Sequence, residues 1–242
     1  MTQFEQEKKT NIAAMAVDQP LQKKARELFN GANAHRYSYN FTWMGRPIIQ
    51  YPQDIQAIQE LIWAIKPDLI IETGIAHGGS LVLSASILEL IGGEGQVVGI
   101  DIDIREHNRK AIEEHSMFKR ITLLEGSSIS DDIASQVRII AEGKKKVLVF
   151  LDSNHSHDHV LSEMEIYAPL VKSGSYLVVF DTVVEDLPEN SFPDRPWDKG
   201  SNPKTAVWEF LKSNPRFQID KDFENKLLIT VAPDGFLKCV AD

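Results

Sequence analysis

The stretch Asp68–Ser80 reads DLIIETGIAHGGS: an apolar run, an acid, glycines at 74, 78 and 79, and a small hydroxyl residue. A run of apolar β-formers predicts a strand buried on both faces. Glycines directly after it let the backbone approach a ligand closely, and Ser80 is placed to cap a following helix. Strand, glycine turn and helix form the first unit of an open parallel sheet, where ligands bind beyond the carboxyl ends of the strands.

Outward from this unit the chain alternates two periodicities from about Ile55, the pattern of parallel strands joined by crossover helices. Strand-like runs are LIIET (69–73), QVVGID (96–101), RITLLEG (120–126), KVLVFLD (146–152), SYLVVFD (175–181) and KLLITVA (226–232). Helix-like segments lie at 79–91, 105–116, 129–142, 160–171 and 204–213. After the last of these, FQIDKDF (217–223) is close enough to KLLITVA to pair with it antiparallel. The expected fold is therefore α/β and Rossmann-like: a mostly parallel seven-stranded sheet with one antiparallel strand and helices on both faces. Residues 55–242 are expected to form this domain, the part of the chain that would bind a cofactor and carry catalysis. Residues 1–54 are expected to be an appendage of two helices, ending at Met15 and spanning Gln19–Phe29, followed by the aromatic segment YSYNFTWMGRPIIQYPQD (37–54). Tyr37, Tyr39, Phe41 and Trp43 of that segment would cover a substrate or pack between subunits, and the apolar load of the region predicts a homo-oligomer.

Composition narrows the class. A net charge of −9 and a pI near 5.3 argue against a nucleic-acid partner, and the one basic run, Lys144–Lys146, reads as a solvated helix end. The first residues, MTQFEQEKKT, lack the apolar core of an export signal, and no stretch approaches the roughly 18 consecutive apolar residues of a membrane span. The single cysteine, Cys239, fits a buried apolar role in a reducing compartment, so a cytoplasmic location is expected.

The turn itself reads E-x-G-x-x-x-G-x-S, with Glu72 two positions before Gly74. A dinucleotide site prefers G-x-G-x-x-G without an acid there, because a diphosphate repels a carboxylate. S-adenosylmethionine carries a sulfonium and an ammonium and no phosphate, so it tolerates Glu72; a nicotinamide or flavin cofactor is the alternative ligand. Asp101, at the end of the next strand, is placed to hydrogen-bond a ribose. Asp103 is the fallback, or an N-cap before Arg105. Ala76, His77, Gly78 and Ser80 of the turn, with Ser127 after RITLLEG, complete the candidate cofactor set.

Two further strands end in acids, Asp152 and Asp181, and carboxylates on neighbouring strand ends can share a hard cation such as Mg²⁺. The segment SNHSHDH after Asp152 holds His155, His157 and His159, without a second ligand cluster to complete a zinc site. His155, three residues beyond Asp152, is the candidate base. Asp152, His155 and His157 also nominally supply the two-histidine, one-carboxylate set of an Fe(II) oxygenase. The loop LPENSFPDRPWDKGSNP (187–203) is long enough to be functional, and its Arg195, Trp197 and Lys199 suit a sugar or anionic acceptor.

The segments NFTWMGRPIIQYPQD, KPDLIIETGIAHGGS, VLVFLDSNHSHDHV, GSYLVVFD and DRPWDKGSNPKTAVWEFL, in this order, resemble the cephalosporin hydroxylase/rhamnosyl O-methyltransferase family over nearly the whole chain from about Tyr39 to Cys239. The resemblance implies a Rossmann-like methyltransferase that uses S-adenosylmethionine and Mg²⁺ to methylate oxygen in antibiotics or in sugars of surface glycans. It implies that Glu72, Gly74 and Asp101 contact the cofactor and that Asp152 and Asp181 hold the metal. One position departs: the antibiotic-acting relatives have Glu-Asp where this chain has Phe180-Asp181. Water, Glu185 or Asp186 would fill the vacant place, or no metal binds and His155 acts alone. A non-catalytic scaffold that has kept the fold is the remaining alternative.

Overall fold

A computed structural model describes residues 1–242. The chain opens with α1 (Gln3–Val17) and α2 (Gln19–Asn33), then a hairpin of β1 (Phe41–Trp43) and β2 (Arg46–Ile48), and enters α3 (Pro52–Ile65). Strands and helices then alternate: β3 (Leu69–Thr73), α4 (Gly79–Ile91), β4 (Gln96–Asp101), α5 (Glu106–Glu113), β5 (Ile121–Glu125), α6 (Asp131–Ala141), β6 (Val147–Leu151), α7 (His157–Tyr167), β7 (Tyr176–Val179) and α8 (Pro203–Ser213). The chain ends with β8 (Phe217–Ile219), α9 (Lys221–Leu227) and β9 (Phe236–Cys239).

Seven strands make one sheet in the order β5-β4-β3-β6-β7-β9-β8, all parallel except β9, which runs against both neighbours. The apolar runs bury on both faces by strict alternation. Ile70, Leu148 and Phe150 pack on one face with Ile58, Leu61 and Ile62 of α3 and Leu81 of α4. Leu69, Ile71, Val147 and Val149 pack on the other with Val137 of α6, Met164 of α7 and Phe210 of α8. Cys239 is buried in this second layer, in the apolar role expected of it.

The reversed strand is not the one the apolar pattern suggested. KLLITVA is the end of α9 and an irregular turn through Leu228, which has φ 61°; β8 pairs with Phe236–Cys239. The run turns because Asp54 of α3, fully buried, takes hydrogen bonds from Thr230 Oγ1 and from the Val231 N–H at 3.0 Å. Short apolar runs do not reveal their conformation by periodicity alone, and this one answers to a side chain far away in sequence. Asp103 caps nothing: α5 starts at Glu106 with Arg105 as its cap residue.

The N-terminal aromatics pack on the sheet domain. Trp43 Nε1 donates to Ser86 Oγ of α4 at 3.0 Å, and Phe29 stacks on Tyr51 with ring centroids 4.8 Å apart. Tyr39 stays exposed. A Cβ on Gly79, the first residue of α4, would lie 2.2 Å from the Pro47 carbonyl, so the hairpin sits tight against the glycine turn.

Candidate active site

β3, β6 and β7 lie side by side at the point where the strand order reverses, and their carboxyl ends stay in register. Asp152 N donates to Thr73 O at 2.9 Å, and Phe180 N donates to Leu151 O at 2.9 Å. Glu72, Asp152 and Asp181 are thereby delivered to one edge of the sheet, the crevice in which such folds bind ligands.

The turn after β3 is bent by positive φ at Gly74 (88°), Ala76 (45°) and Gly78 (80°). Asp101 holds it from β4: its Oδ2 accepts from Ile75 N at 2.8 Å and Ala76 N at 3.3 Å. Two residues that the sequence reading did not single out hold it from the other side. Arg46 of β2 donates to the His77 carbonyl from Nε at 3.0 Å, and Asn108 of α5 donates to the Ala76 carbonyl at 2.9 Å. Asn108 Oδ1 also faces His77 Nδ1 at 3.3 Å. Ser80 spends its hydroxyl on Glu72 Oε1 instead of capping α4, whose cap residue is Gly78. Ser127 turns its carbonyl inward to Ser130, while its neighbour Ser128 is buried and donates to Glu163 at 2.6 Å.

Glu72 is buried, its second oxygen, Oε2, has no partner, and burial pushes its carboxyl up to about 7. An orphaned acceptor at the base of a ligand turn fits a cofactor that brings positive charge and N–H donors. A cation bound there favours the ionised carboxylate, so binding expels the proton that the free protein holds. The affinity of a cationic ligand held at Glu72 would therefore rise as pH rises from about 6 to about 8, with proton release near the lower end. Calorimetry with S-adenosylmethionine in buffers of different ionisation heat reads this directly, and Glu72→Gln should flatten the dependence; a flat wild-type profile would mean that Glu72 meets no cationic ligand.

Beyond β6 and β7, ligand atoms of Asp152, His155 and Asp181 lie within 4.8 Å of one another. His155 Nε2 is 3.1 Å from Asp181 Oδ2. Burial, then the negative fields of Asp181, Glu72, Asp54 and Glu163, raise the Asp152 carboxyl well above its ordinary range. The other two histidines go elsewhere. His157 lies 2.8 Å from Thr205 Oγ1 and 3.2 Å from Glu209 on α8, and His159 lies 3.1 Å from Ser128 Oγ. The cluster therefore offers one histidine and two carboxylates, not the two-histidine set of an Fe(II) oxygenase.

The long loop folds over this cluster. Trp197 meets the His155 ring edge-on with centroids 4.9 Å apart, and the Arg195 guanidinium lies 5.3 Å from the Trp197 ring. Lys199 is exposed, with its N–H on Asp198. The fully buried Asn202 pins the loop through Glu185 at 2.6 Å and the Asp198 carbonyl at 3.0 Å. Glu185 is thus committed to the loop, and Asp186 pairs with Lys204 at 2.5 Å, so neither turns toward the cluster. Phe180 is buried against Phe150.

With this geometry in place, similarity to known proteins is specific. The sequence model of the Rhamnosyl O-methyltransferase/CmcI family matches residues 35–240. The rhamnosyl O-methyltransferase of Mycobacterium tuberculosis (strain ATCC 25618 / H37Rv) is 34% identical over 198 residues, covering 81% of this chain and 77% of that protein. The rhamnosyl O-methyltransferase of Mycobacterium leprae (strain TN) is 32% identical over 211 residues, covering 84% and 87%. A solved structure of CmcI described as its Mg-SAM form superposes with a TM-score of 0.57 at 20% identity, over 84% of this chain and 78% of that one.

Proposed function

The chain belongs to the Rhamnosyl O-methyltransferase/CmcI family and is an S-adenosylmethionine-dependent O-methyltransferase; on that premise we propose that it methylates a sugar hydroxyl, on a glycan or natural product, with the help of Mg²⁺. The observation that carries this reading is the meeting of Asp152, His155 and Asp181 at the strand ends beside the glycine turn. The oxygen donors of Asp152 and Asp181 fit a hard cation, and the unpartnered Oε2 of Glu72 fits a cationic cofactor. The names of the mycobacterial relatives support a sugar acceptor.

Glu72 and Asp101 hold the cofactor, with the turn from Gly74 through Ser80 and the Ser127 backbone around it. Bound in these places, S-adenosylmethionine would supply an electrophilic methyl group, and Mg²⁺ held by Asp152 and Asp181 would supply positive charge that lowers the pKa of the acceptor hydroxyl. His155 takes the proton of the acceptor hydroxyl, and the Asp181 carboxylate beside Nε2 stabilises the imidazolium that forms. Trp197 offers an apolar face to a sugar ring, and Arg195 and Lys199 extend the acceptor site into solvent. The β1–β2 hairpin covers the turn through Arg46 and Pro47, the exposed Phe4, Val17 and Leu28 support assembly into a homo-oligomer, and the same reading keeps the enzyme in the cytoplasm.

The test is transfer of isotopically labelled methyl from S-adenosylmethionine into a pool of deoxysugar glycosides, with and without EDTA. Label is expected on a sugar oxygen and is expected to vanish with the chelator. Turnover untouched by EDTA removes the cation from the mechanism, and label found only on non-sugar acceptors overturns the substrate class.

A further inference from the structure

We propose that Gln50 is the third protein ligand of the cation held by Asp152 and Asp181, coordinating through its side-chain carbonyl. This deepens the cation reading and rests on it. The chain lacks a carboxylate at position 180, where Phe180 is buried against Phe150, and the acids that follow are engaged by the loop and by Lys204. What does reach Asp152 is an amide from 102 positions earlier in the chain.

Gln50 is 3% exposed and its Nε2 donates to Asp152 Oδ2 at 3.0 Å, while its Oε1 is buried without any partner. An amide presents a donor and an acceptor in nearly the same shape, and half a turn about its last torsion exchanges them. Facing a bare carboxylate, the N–H side is favoured. Facing a cation between itself and that carboxylate, the carbonyl is favoured, and the orphaned oxygen gains its partner. The exchange would turn an amide oxygen toward the carboxylate oxygen of Asp152, and neutral and anionic oxygen donors of this kind are what a hard cation takes.

The backbone that carries Gln50 is fixed on both sides. Ile48 and Tyr51 are buried, Tyr51 stacks on Phe29, and Pro52 opens α3 directly afterwards. A neutral ligand also suits the surroundings. Glu72, Asp54 and Glu163 already add negative field at Asp152, so two carboxylates and a neutral amide suffice to hold a divalent charge.

Titration of Mn²⁺ alone, followed by the EPR signal of the free ion, separates the possibilities without turnover. Wild type should bind one Mn²⁺, Gln50→Leu should bind it at least about tenfold more weakly while keeping its affinity for S-adenosylmethionine, and Gln50→Glu should bind at least as tightly as wild type. Unchanged Mn²⁺ affinity in Gln50→Leu overturns the role of Gln50 and leaves the cation reading standing. Absence of Mn²⁺ binding in wild type overturns both. Should Gln50→Leu also lose the cofactor, Gln50→Asn, whose amide is one methylene short, is judged by the same comparison.

Discussion

An Asp181→Ala enzyme will bind S-adenosylmethionine about as well as wild type and transfer methyl groups roughly a thousandfold more slowly, because one side chain serves both the cation and the base. Asp181 follows β7 in a left-handed conformation, φ 53°, that turns its carboxylate 3.1 Å from His155 Nε2 and into the cluster with Asp152. Its loss removes a cation ligand and the countercharge of the imidazolium together. Positioned proton transfer alone is worth about 10² to 10⁴ in rate. The side-chain partner of Asp181 is His155 and not the glycine turn, so the cofactor should not notice. Asp101→Ala is expected to do the opposite. It frees the Ile75 and Ala76 N–H groups and removes the ribose acceptor, weakening the cofactor at least about tenfold while the rate at saturation stays near normal. Calorimetry with single-turnover kinetics reads the two variants apart. An Asp181→Ala enzyme with wild-type turnover would sink both roles given to that residue, and a wild type that transfers nothing to any acceptor would restore the scaffold alternative.

Much of this site is legible in the sequence because an acid closing an apolar strand is a local signal. In a parallel sheet every such strand delivers its carboxyl end to the same edge, and that rule alone brings Glu72, Asp101, Asp152 and Asp181, all at or just past strand ends, to one side. The residues that escaped arrive from elsewhere in the chain. Gln50 reaches across 102 positions to Asp152, and Arg46 across 31 to the His77 carbonyl. Gln50 stands in IIQYPQD as a polar residue after two isoleucines and before a tyrosine, and that is its only signal. KLLITVA fails as a strand for a related reason: its hydrogen bonds go to Asp54, which no local pattern couples to it. Nor does the sequence say that Asp181 takes a left-handed φ, since aspartate, though enriched among the non-glycine residues found there, adopts it uncommonly. Local periodicity gives the sheet; the closure of the site depends on contacts that form only once the sheet exists.

The glycine that joins the two halves of the site gives the largest expected effect on stability. Gly74 has φ 88°, and a Cβ built on it would lie 2.0 Å from the backbone carbonyl oxygen of Asp152. A methyl group there meets backbone, not the flexible end of a side chain, and that backbone is tied back to β3 by the Asp152 N–H on Thr73. Gly143 is the control: its φ is 76° and nothing lies within 4 Å of its Cβ position. Gly143→Ala therefore isolates the left-handed backbone cost, about 1 to 2 kcal/mol. Gly74→Ala adds to this the displacement of a packed strand end, for a total of about 4 kcal/mol, which at this chain length lowers Tm by roughly 10 °C. Function should fall with it, since the atom that must yield belongs to Asp152, and any relaxation that admits the methyl moves that carboxylate away from Asp181 and His155. Thermal unfolding of the two variants side by side decides the point: equal losses at 74 and 143 would mean that the cofactor turn does not press on the Asp152 strand end, and the mechanical link between cofactor and cation halves would be gone.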